Sequence, residues 1–233
     1  DAWQTDQWEG LPQSLEGQAL QWLTPAQIDP SILTPADRSI LQAWRLPRRY
    51  PITPPGVKPD QRGVWFERIG RAIERGERLV QLRLPIWPRE LVRELAAALL
   101  PLARRDGTQW LLNGDIEGAL ALGIGVQLKS TQLAALTAPS LPLAQLVGAS
   151  CHDAANLTQA SSIAADFATL SPVAATRNLP QRPPLGWPRF HRLAEAAALP
   201  VYALGGMALS HIMQARQCSG QGVAGIREFW LVI

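Results

Sequence analysis

The sequence has little lysine, cysteine and histidine. Lys58 and Lys129 are the two lysines among its 22 basic residues, so its positive charge comes from arginine. These arginines alternate with glutamates such as Glu67 and Glu74, a pattern typical of solvated helix faces. The net charge of +3 is small and mixed in sign, which argues against nucleic acid as a partner.

The cysteines, histidines and apolar runs exclude several classes of protein. Cys151 and Cys218 have no metal-ligand spacing, and the three histidines form no spaced cluster. A disulfide framework is therefore not expected, and we predict a reducing, cytoplasmic location. No apolar run approaches the ~20 residues of a membrane span, and the first residues lack the pattern of a signal peptide. Because the sequence starts at Asp1 without an initiator Met, we expect it to be part of a longer protein.

Short apolar runs recur from about residue 50 onward. Eight of them are predicted strands: Arg49–Thr53, Leu79–Leu84, Trp110–Asn113, Gly125–Leu128, Leu146–Ser150, Phe167–Val173, Val201–Leu204 and Gly222–Ile226. Helical patterns separate most of them, at Val64–Arg75 (with Phe66, Ile69 and Ile73 on one face), Arg89–Arg105, Asp153–Ala164, Trp187–Ala198 and Leu209–Arg216. Eight strands alternating with helices predict an α/β protein, a (β/α)8 TIM barrel over residues 48–233.

Residues 1–47 do not follow this alternation. They contain several prolines and four tryptophans: Trp3, Trp8, Trp22 and Trp44. Pro35–Trp44 is a predicted helix with Thr34 as its N-cap. This block is too small to hold a core of its own, so we expect a small N-terminal extension of the barrel.

Polar side chains gather where the predicted strands end, which is where TIM barrels carry their active sites. The candidates are Gln81, Arg83, Asn113, Gln127, Lys129, Ser150, His152, Ser171 and Thr176. His152 suits acid–base catalysis because its ordinary pKa is near neutrality; alternatively it caps the next helix or bonds a loop carbonyl. Arg83 either grips an anion bidentately or forms an ion pair within the barrel mouth. Asp115 is expected to cap a helix rather than bind a metal, and Cys151 to pack between sheet and helix.

The last two predicted strands both reach glycine near their carboxyl ends. Glycine lets the backbone bend sharply and lets its N–H groups approach a ligand closely. The usual phosphate site of a TIM barrel follows strands 7 and 8. We therefore predict a phosphate site; a tight strand-to-helix turn is the alternative. Its residues are Gly205, Gly206, Gly225, Ile226 and Arg227.

In this order, these segments resemble the thiamine phosphate synthase and thiazole tautomerase (TenI-like) family. The resemblance runs over about Arg49–Trp230 and rests on Tyr50-Pro51-Ile52-Thr53, Gln81-Leu82-Arg83, Asn113, Gly125-Val126-Gln127-Leu128, Gly148-Ala149-Ser150-Cys151-His152, Asp166-Phe167 through Ser171-Pro172-Val173, Thr176 and Leu204-Gly205-Gly206-Met207. It implies a thiamine-synthase-type barrel that binds a phosphorylated thiazole. Gln81, Arg83, Asn113, Ser150 and Thr176 would contact that ligand, and His152 would be catalytic.

The sequence departs from the synthase pattern where the family holds magnesium. Synthases have a lysine after the second strand and acidic magnesium ligands after the third and fourth. At those places this sequence has Leu84-Pro85, Gly114 and Lys129-Ser130-Thr131. In addition, Arg177 replaces a lysine of the sixth-strand loop. Without a metal, a pyrophosphate leaving group has little charge stabilisation. The tautomerases need no metal; they move a proton on a thiazole carboxylate phosphate, and their histidine matches His152. We therefore expect no cofactor in the barrel and, if the barrel is catalytic, an isomerase rather than a synthase.

The N-terminal block resembles the tail of a MutT-type Nudix hydrolase. The resemblance rests on Trp8-Glu9-Gly10, Glu16-Gly17-Gln18, Trp22 and Thr34-Pro35-Ala36-Asp37. The glutamate-rich Nudix box is absent, so magnesium is expected only for a missing Nudix half. Residues 1–47 would then be a Nudix remnant and linker, and the Nudix domain of the parent protein a partner of the barrel. The alternative function is a catalytically inactive barrel that serves a MutT-type 8-oxo-dGTP diphosphatase as a ligand-binding or regulatory module.

Overall fold

The apolar runs form eight parallel strands that follow one another around a barrel in this computed structural model, which describes residues 5, 7–176 and 181–230. The strands are β1 Arg49–Pro51, β2 Leu79–Leu82, β3 Gln109–Asn113, β4 Gly125–Leu128, β5 Val147–Cys151, β6 Phe167–Leu170, β7 Val201–Ala203 and β8 Gly222–Gly225. Their order is β1-β8-β7-β6-β5-β4-β3-β2. A parallel bridge between Ile52 and Gln81 joins β1 to β2, and the N–H of Thr53 donates to the Gln81 carbonyl over 3.0 Å. The predicted (β/α)8 TIM barrel is confirmed.

Helices cover the outside of the barrel. They are α1 Pro35–Arg45, α2 Arg62–Glu74, α3 Arg89–Asp106, α4 Ile116–Leu122, α5 Ser130–Leu133, α6 Ala154–Ser162, α7 Gly186–Glu195 and α8 Ile212–Gln217. Short 3-10 turns lie at Pro25–Gln27, Pro30–Ile32, Pro59–Gln61, Leu209–His211 and Glu228–Trp230. The sequence pattern did not predict α4 or α5, and the predicted Leu209–Arg216 helix begins with a 3-10 turn.

Two apolar cores lie on opposite sides of the strands. The larger one fills the space between strands and helices, and the smaller one fills the barrel interior around Tyr50, Phe167 and Tyr202. The predicted apolar face of α2 is wrong at one position. Phe66 is 39% exposed, whereas Trp65 is buried with Ile69, so the buried face of α2 starts one residue earlier than predicted.

The helix α1 covers the N-terminal end of the barrel. Its predicted N-cap is confirmed: the Thr34 hydroxyl accepts from the Asp37 N–H over 3.3 Å. At the other end of α1, the Gln221 side-chain amide donates to the carbonyl of Leu46 over 2.7 Å. Leu46 is buried and packs into the interior core. The N-terminal extension is thus part of the barrel's packing from α1 onward.

Asp166 connects α1 to the strands. Its carboxylate accepts from the Gln42 side-chain amide over 2.6 Å and from the Val147 N–H over 2.7 Å. Burial raises the pKa of this carboxyl from 3.8 to about 6, although both hydrogen bonds lower it. Desolvation therefore outweighs the hydrogen bonds, and the charged form is costly at neutral pH.

We expect Asp166→Asn to stabilise the protein at pH 7 and to lose that advantage as the pH falls to 4. The folded protein holds the Asp166 proton more tightly than the unfolded chain, so this carboxyl favours folding at low pH and that contribution is lost as the pH rises through about 6. A pKa raised from 3.8 to about 6 corresponds to about 3 kcal/mol. Urea unfolding at several pH values measures it, with surface Asp60→Asn as control. Equal pH profiles for wild type and Asp166→Asn would contradict this reading.

The segment before α1 exposes large apolar side chains. Trp8 and Trp22 are 64% and 76% exposed, and their rings stack on each other at a centroid distance of 6.2 Å. Arg45 holds the 3-10 turns of this segment by donating to the carbonyls of Pro25 and Ile28. Among the described residues, no helix is both long and apolar enough to cross a membrane.

Candidate functional site

Arg83 is the residue immediately after β2 and lies at the carboxyl end of the barrel. Its backbone N–H donates to the Thr53 hydroxyl over 2.7 Å, which fixes the start of its side chain. Arg83 is half-buried, and burial lowers the pKa of its guanidinium. Within the described part of the chain no carboxylate pairs with it, so the ion pair considered above is not found there. A half-buried cation without a counter-charge favours an anionic ligand.

The first half of a polar network begins at Asn113, at the end of β3. Its side-chain amide donates to Gln81 Oε1 over 3.3 Å, and Gln81 Nε2 donates to the Tyr50 hydroxyl over 2.9 Å. Gln81 and Tyr50 are buried inside the barrel, whereas Asn113 is half-buried near the mouth. Burial raises the pKa of Tyr50 far above its usual value, so its hydroxyl keeps its proton.

The second half of the network runs from Tyr50 to β5 and β6. The Tyr50 hydroxyl donates to Gln127 Oε1 over 3.0 Å. Gln127 Nε2 donates to the hydroxyls of Ser150, over 3.1 Å, and Thr169, over 3.5 Å. A Cβ at position 148 would lie 2.4 Å from Gln127 Oε1, so Gly148 leaves the space that this amide occupies. Three predicted ligand contacts, Gln81, Asn113 and Ser150, therefore belong to one hydrogen-bonded system.

His152 follows β5 at the same end of the barrel. Its Nδ1 lies 2.8 Å from the carbonyl oxygen of Ser171. A carbonyl only accepts, so Nδ1 carries the hydrogen and Nε2 keeps a lone pair that can take up a proton. Of the two alternatives to catalysis, the helix cap is wrong because Asp153 caps α6, accepting from the Asn156 N–H over 2.8 Å. The bond to a loop carbonyl is present, and it also orients the ring.

The glycine pair after β7 lies beneath the β6–α7 loop. Gly205 and Gly206 have φ values of +94° and +68°. A Cβ at Gly205 would lie 2.8 Å from Pro172 Cα, and one at Gly206 would lie 2.8 Å from the Ala175 carbonyl oxygen. These glycines thus form the tight turn considered above, which is compatible with a phosphate site.

Free backbone donors lie at the ends of both β7 and β8. Among the described residues, the N–H groups of Gly206 and Ile226 donate to no acceptor. Gly225 has a packing role, since a Cβ there would lie 2.1 Å from the Phe229 ring. Arg227 is exposed immediately after Ile226. Within the described residues, the ends of two adjacent strands therefore carry unpaired N–H donors, and an exposed cation follows one of them.

The residues at the mouth do not fit a divalent cation. Asp115 caps α4 by accepting from the Gly118 N–H, and Arg93 engages both of its oxygens at 2.7 Å. This ion pair holds the pKa of Asp115 below its usual value. A Cβ at Gly114 would lie 2.7 Å from Lys129 Cε, so a cationic side chain covers that position. The described residues contain no group of three or more His, Cys, Asp or Glu placed to hold a metal.

The remaining predicted residues lie in the outer core and in the loop after β6. Cys151 is buried in the outer core as expected, and burial raises the pKa of its thiol to about 12. Thr176 is half-buried after β6, whereas Arg177 lies outside the described residues. Sequence reasoning did not single out Tyr50. Its strand alternation with Ile52 was the available signal, because it placed both side chains inside the barrel.

Comparison with known proteins identifies the family. The family model described as thiamine monophosphate synthase matches residues 49–229. The chain belongs to the thiamine monophosphate synthase family. A protein of Aquifex aeolicus named for thiamine-phosphate synthase is 31% identical over 186 residues, which cover 79% of this chain and 98% of that protein. The thiamine-phosphate synthase of Laribacter hongkongensis is 35% identical over 140 residues, covering 59% of this chain and 66% of the relative.

A solved structure has the same fold. Thiamine phosphate pyrophosphorylase from Pyrococcus furiosus superimposes with a TM-score of 0.62 at 24% identity, covering 77% of this chain and 85% of its own. The chain is thus a thiamine-biosynthesis-related barrel, as the resemblance of its strand ends predicted.

Proposed function

We propose that this barrel binds a thiazole phosphate at the carboxyl ends of its strands and moves a proton on it. The observation that carries the proposal is the pair of unpaired N–H groups at Gly206 and Ile226, on adjacent strand ends. They would hold the phosphate, with Arg227 beside it. Gln81, Asn113, Ser150 and Thr176 would surround the thiazole ring.

Arg83 would meet a second anionic group of the ligand. It lies at the end of β2, whereas the free N–H groups follow β7 and β8. A thiazole carboxylate phosphate carries two separate anionic groups, and two separate cationic or donor sites are complementary to it. The phosphate and the carboxylate would therefore occupy different parts of the mouth.

His152 would act as the acid–base group. The Ser171 carbonyl fixes hydrogen on Nδ1, so Nε2 would take a proton from one ring position and return it at another. A tautomerisation moves a proton without changing the composition of the ligand, so it requires no metal and no second substrate. This favours an isomerase over a synthase, because a synthase must expel pyrophosphate and the described residues of this mouth offer no fitting metal site.

Ring-proton exchange tests the proposed activity. The thiazole carboxylate phosphate is incubated with the protein in D2O, and the thiazole ring is followed by NMR. We expect exchange or tautomerisation faster than in buffer. Binding of the thiazole phosphate without exchange would instead support the alternative, an inactive barrel kept as a binding or regulatory module. Absence of binding would refute both.

Arg83→Gln separates the two anionic subsites. Since hydrogen bonds to charged groups contribute about 1.5–3 kcal/mol, we expect affinity for the thiazole carboxylate phosphate to fall about 10- to 150-fold. Affinity for inorganic phosphate should stay near that of the wild type, because the phosphate site lies elsewhere. Isothermal titration measures both, with exposed Arg62→Gln as the matched control. Equal losses for both ligands would place Arg83 at the phosphate instead.

Residues 1–47 lie outside the family match. We propose that they are the tail of a Nudix hydrolase domain. The segment Trp8–Asp37 resembles a Nudix tail, and the exposed Trp8 and Trp22 would pack against the rest of that domain. The protein would then join a nucleotide-sanitising hydrolase to a thiamine-type barrel. The coding sequence upstream of Asp1 tests this, since a glutamate-rich Nudix box should be encoded there; an unrelated upstream sequence would refute it.

A further inference from the structure

The polar network inside the barrel runs in one direction. Asn113 donates to Gln81, Gln81 to Tyr50, Tyr50 to Gln127, and Gln127 to Ser150. Every member thus donates to the next, from β3 across the interior to β5. The Tyr50 hydroxyl is the link, because it accepts from one glutamine and donates to the other.

The direction of this chain determines what its two ends offer a ligand. The Ser150 hydroxyl already accepts from Gln127, and no described residue accepts its proton. Its hydrogen is therefore free to be donated. At the other end, Asn113 uses an N–H within the chain, and its Oδ1 accepts from no described residue. Both ends are half-buried, whereas the links between them are buried.

We propose that Tyr50 is a positioning residue whose hydroxyl, with its single proton, couples the Gln81 and Gln127 amides into one common direction, so that Ser150 faces the ligand as a hydrogen-bond donor and Asn113 as an acceptor. The complementary ligand group is an acceptor that takes the Ser150 hydrogen, such as the thiazole ring nitrogen or a carboxylate oxygen. This inference rests on the proposed function for its ligand, whereas the hydrogen-bonded chain from Asn113 to Ser150 is present without a ligand. Reversing the chain would turn Ser150 into an acceptor and remove this match.

Tyr50→Phe is the test, and Tyr202→Phe is its matched control. Both tyrosines are buried, and their ring centroids are 5.6 Å apart. The Tyr202 hydroxyl donates to the Pro47 carbonyl at the opposite end of the barrel, outside the chain. Both variants lose one buried hydroxyl, so a difference between them reports on the chain rather than on general packing.

The first measurement needs no ligand. Side-chain amide signals of Gln81, Gln127 and Asn113 are followed by nitrogen-edited NMR in the free protein. We expect all three to shift in Tyr50→Phe and to stay in place in Tyr202→Phe. Unchanged signals in Tyr50→Phe would overturn the proposal, even if the wild type binds its ligand.

The second measurement compares two ligands by isothermal titration. Because one oriented hydrogen bond is lost, we expect Tyr50→Phe to weaken thiazole phosphate about three- to tenfold and to leave inorganic phosphate unchanged. Tyr202→Phe should change neither. Equal weakening of both ligands would indicate general damage and contradict a positioning role. Failure of the wild type to bind thiazole phosphate would refute the proposed function, and the NMR result would still decide on the chain.

A second variant covers the case in which Tyr50→Phe does not fold. Gln127→Met keeps the length of the side chain and removes the donor to Ser150. We expect the same selective loss of thiazole phosphate affinity; an unchanged affinity would contradict the proposal.

Discussion

His152→Ala is expected to lose proton-transfer turnover about 10²–10⁴-fold, the usual contribution of a general acid–base group. Affinity for the thiazole phosphate should stay within a few-fold of the wild type. The reason is the proposed separation of roles: backbone N–H groups near Gly206 and Ile226 would hold the phosphate, whereas the His152 ring is held by the Ser171 carbonyl. Turnover is measured by NMR exchange of the thiazole ring proton, and affinity by isothermal titration.

Two controls make this result specific. His191 lies on α7, outside the mouth, and its Nδ1 is 3.2 Å from the Ser219 hydroxyl. The variant His191→Ala should therefore leave turnover intact. His152→Gln keeps a polar side chain of similar size but cannot act as a base at neutral pH. If His152→Gln exchanges the ring proton at the wild-type rate, His152 is a structural residue and another group transfers the proton.

Gly206→Ala should lose phosphate affinity at least tenfold. The new Cβ would lie 2.8 Å from the Ala175 carbonyl oxygen, so the turn must shift, and its N–H with it. A hydrogen bond to an anion contributes about 1.5–3 kcal/mol, which corresponds to roughly 10- to 150-fold in affinity. The left-handed backbone at φ +68° adds about 1–2 kcal/mol of instability for any residue with a Cβ.

Gly107→Ala is the control that separates a loss of phosphate affinity from a loss of folding stability. Gly107 also has φ +68°, but a Cβ there meets no atom within 4 Å, and it lies at the end of α3. Both variants should unfold more easily in urea because of their left-handed backbone, Gly206→Ala by more because of its additional clash, whereas phosphate affinity should fall in Gly206→Ala alone. A crystal structure determined in the presence of phosphate, with a side chain filling this position, would also contradict the predicted phosphate site.

The sequence predicted the barrel because its strands are apolar runs separated by long periodic helices. The bounds of α3 differ from the predicted ones by a single residue, since Pro88 and Gly107 mark its ends. The helices α4 and α5 have seven and four residues, too few to show a periodic apolar face. Phe66 was placed on the buried face of α2 instead of Trp65, because two adjacent aromatic residues leave the phase of a helix ambiguous.

The candidate site was predictable in its positions but not in its bonding. Parallel strands bring their carboxyl ends together, so polar residues such as Arg83 and His152 could be placed at one mouth from sequence alone. Hydrogen bonds depend on register and on side-chain direction across the interior. Nothing local in the sequence indicates that Tyr50 and Gln127, 77 positions apart, share a hydrogen bond.

The docking of α1 also determines where this barrel can be cut. A chain shortened to the family match, residues 49–229, would lose the amide of Gln42 that faces Asp166 and the carbonyls that receive the Gln221 side chain. It would also leave the interior open to water where Leu46 now lies. The family match is therefore shorter, by one helix, than the packed unit, and a chain cut at residue 49 should be less stable than one that keeps α1.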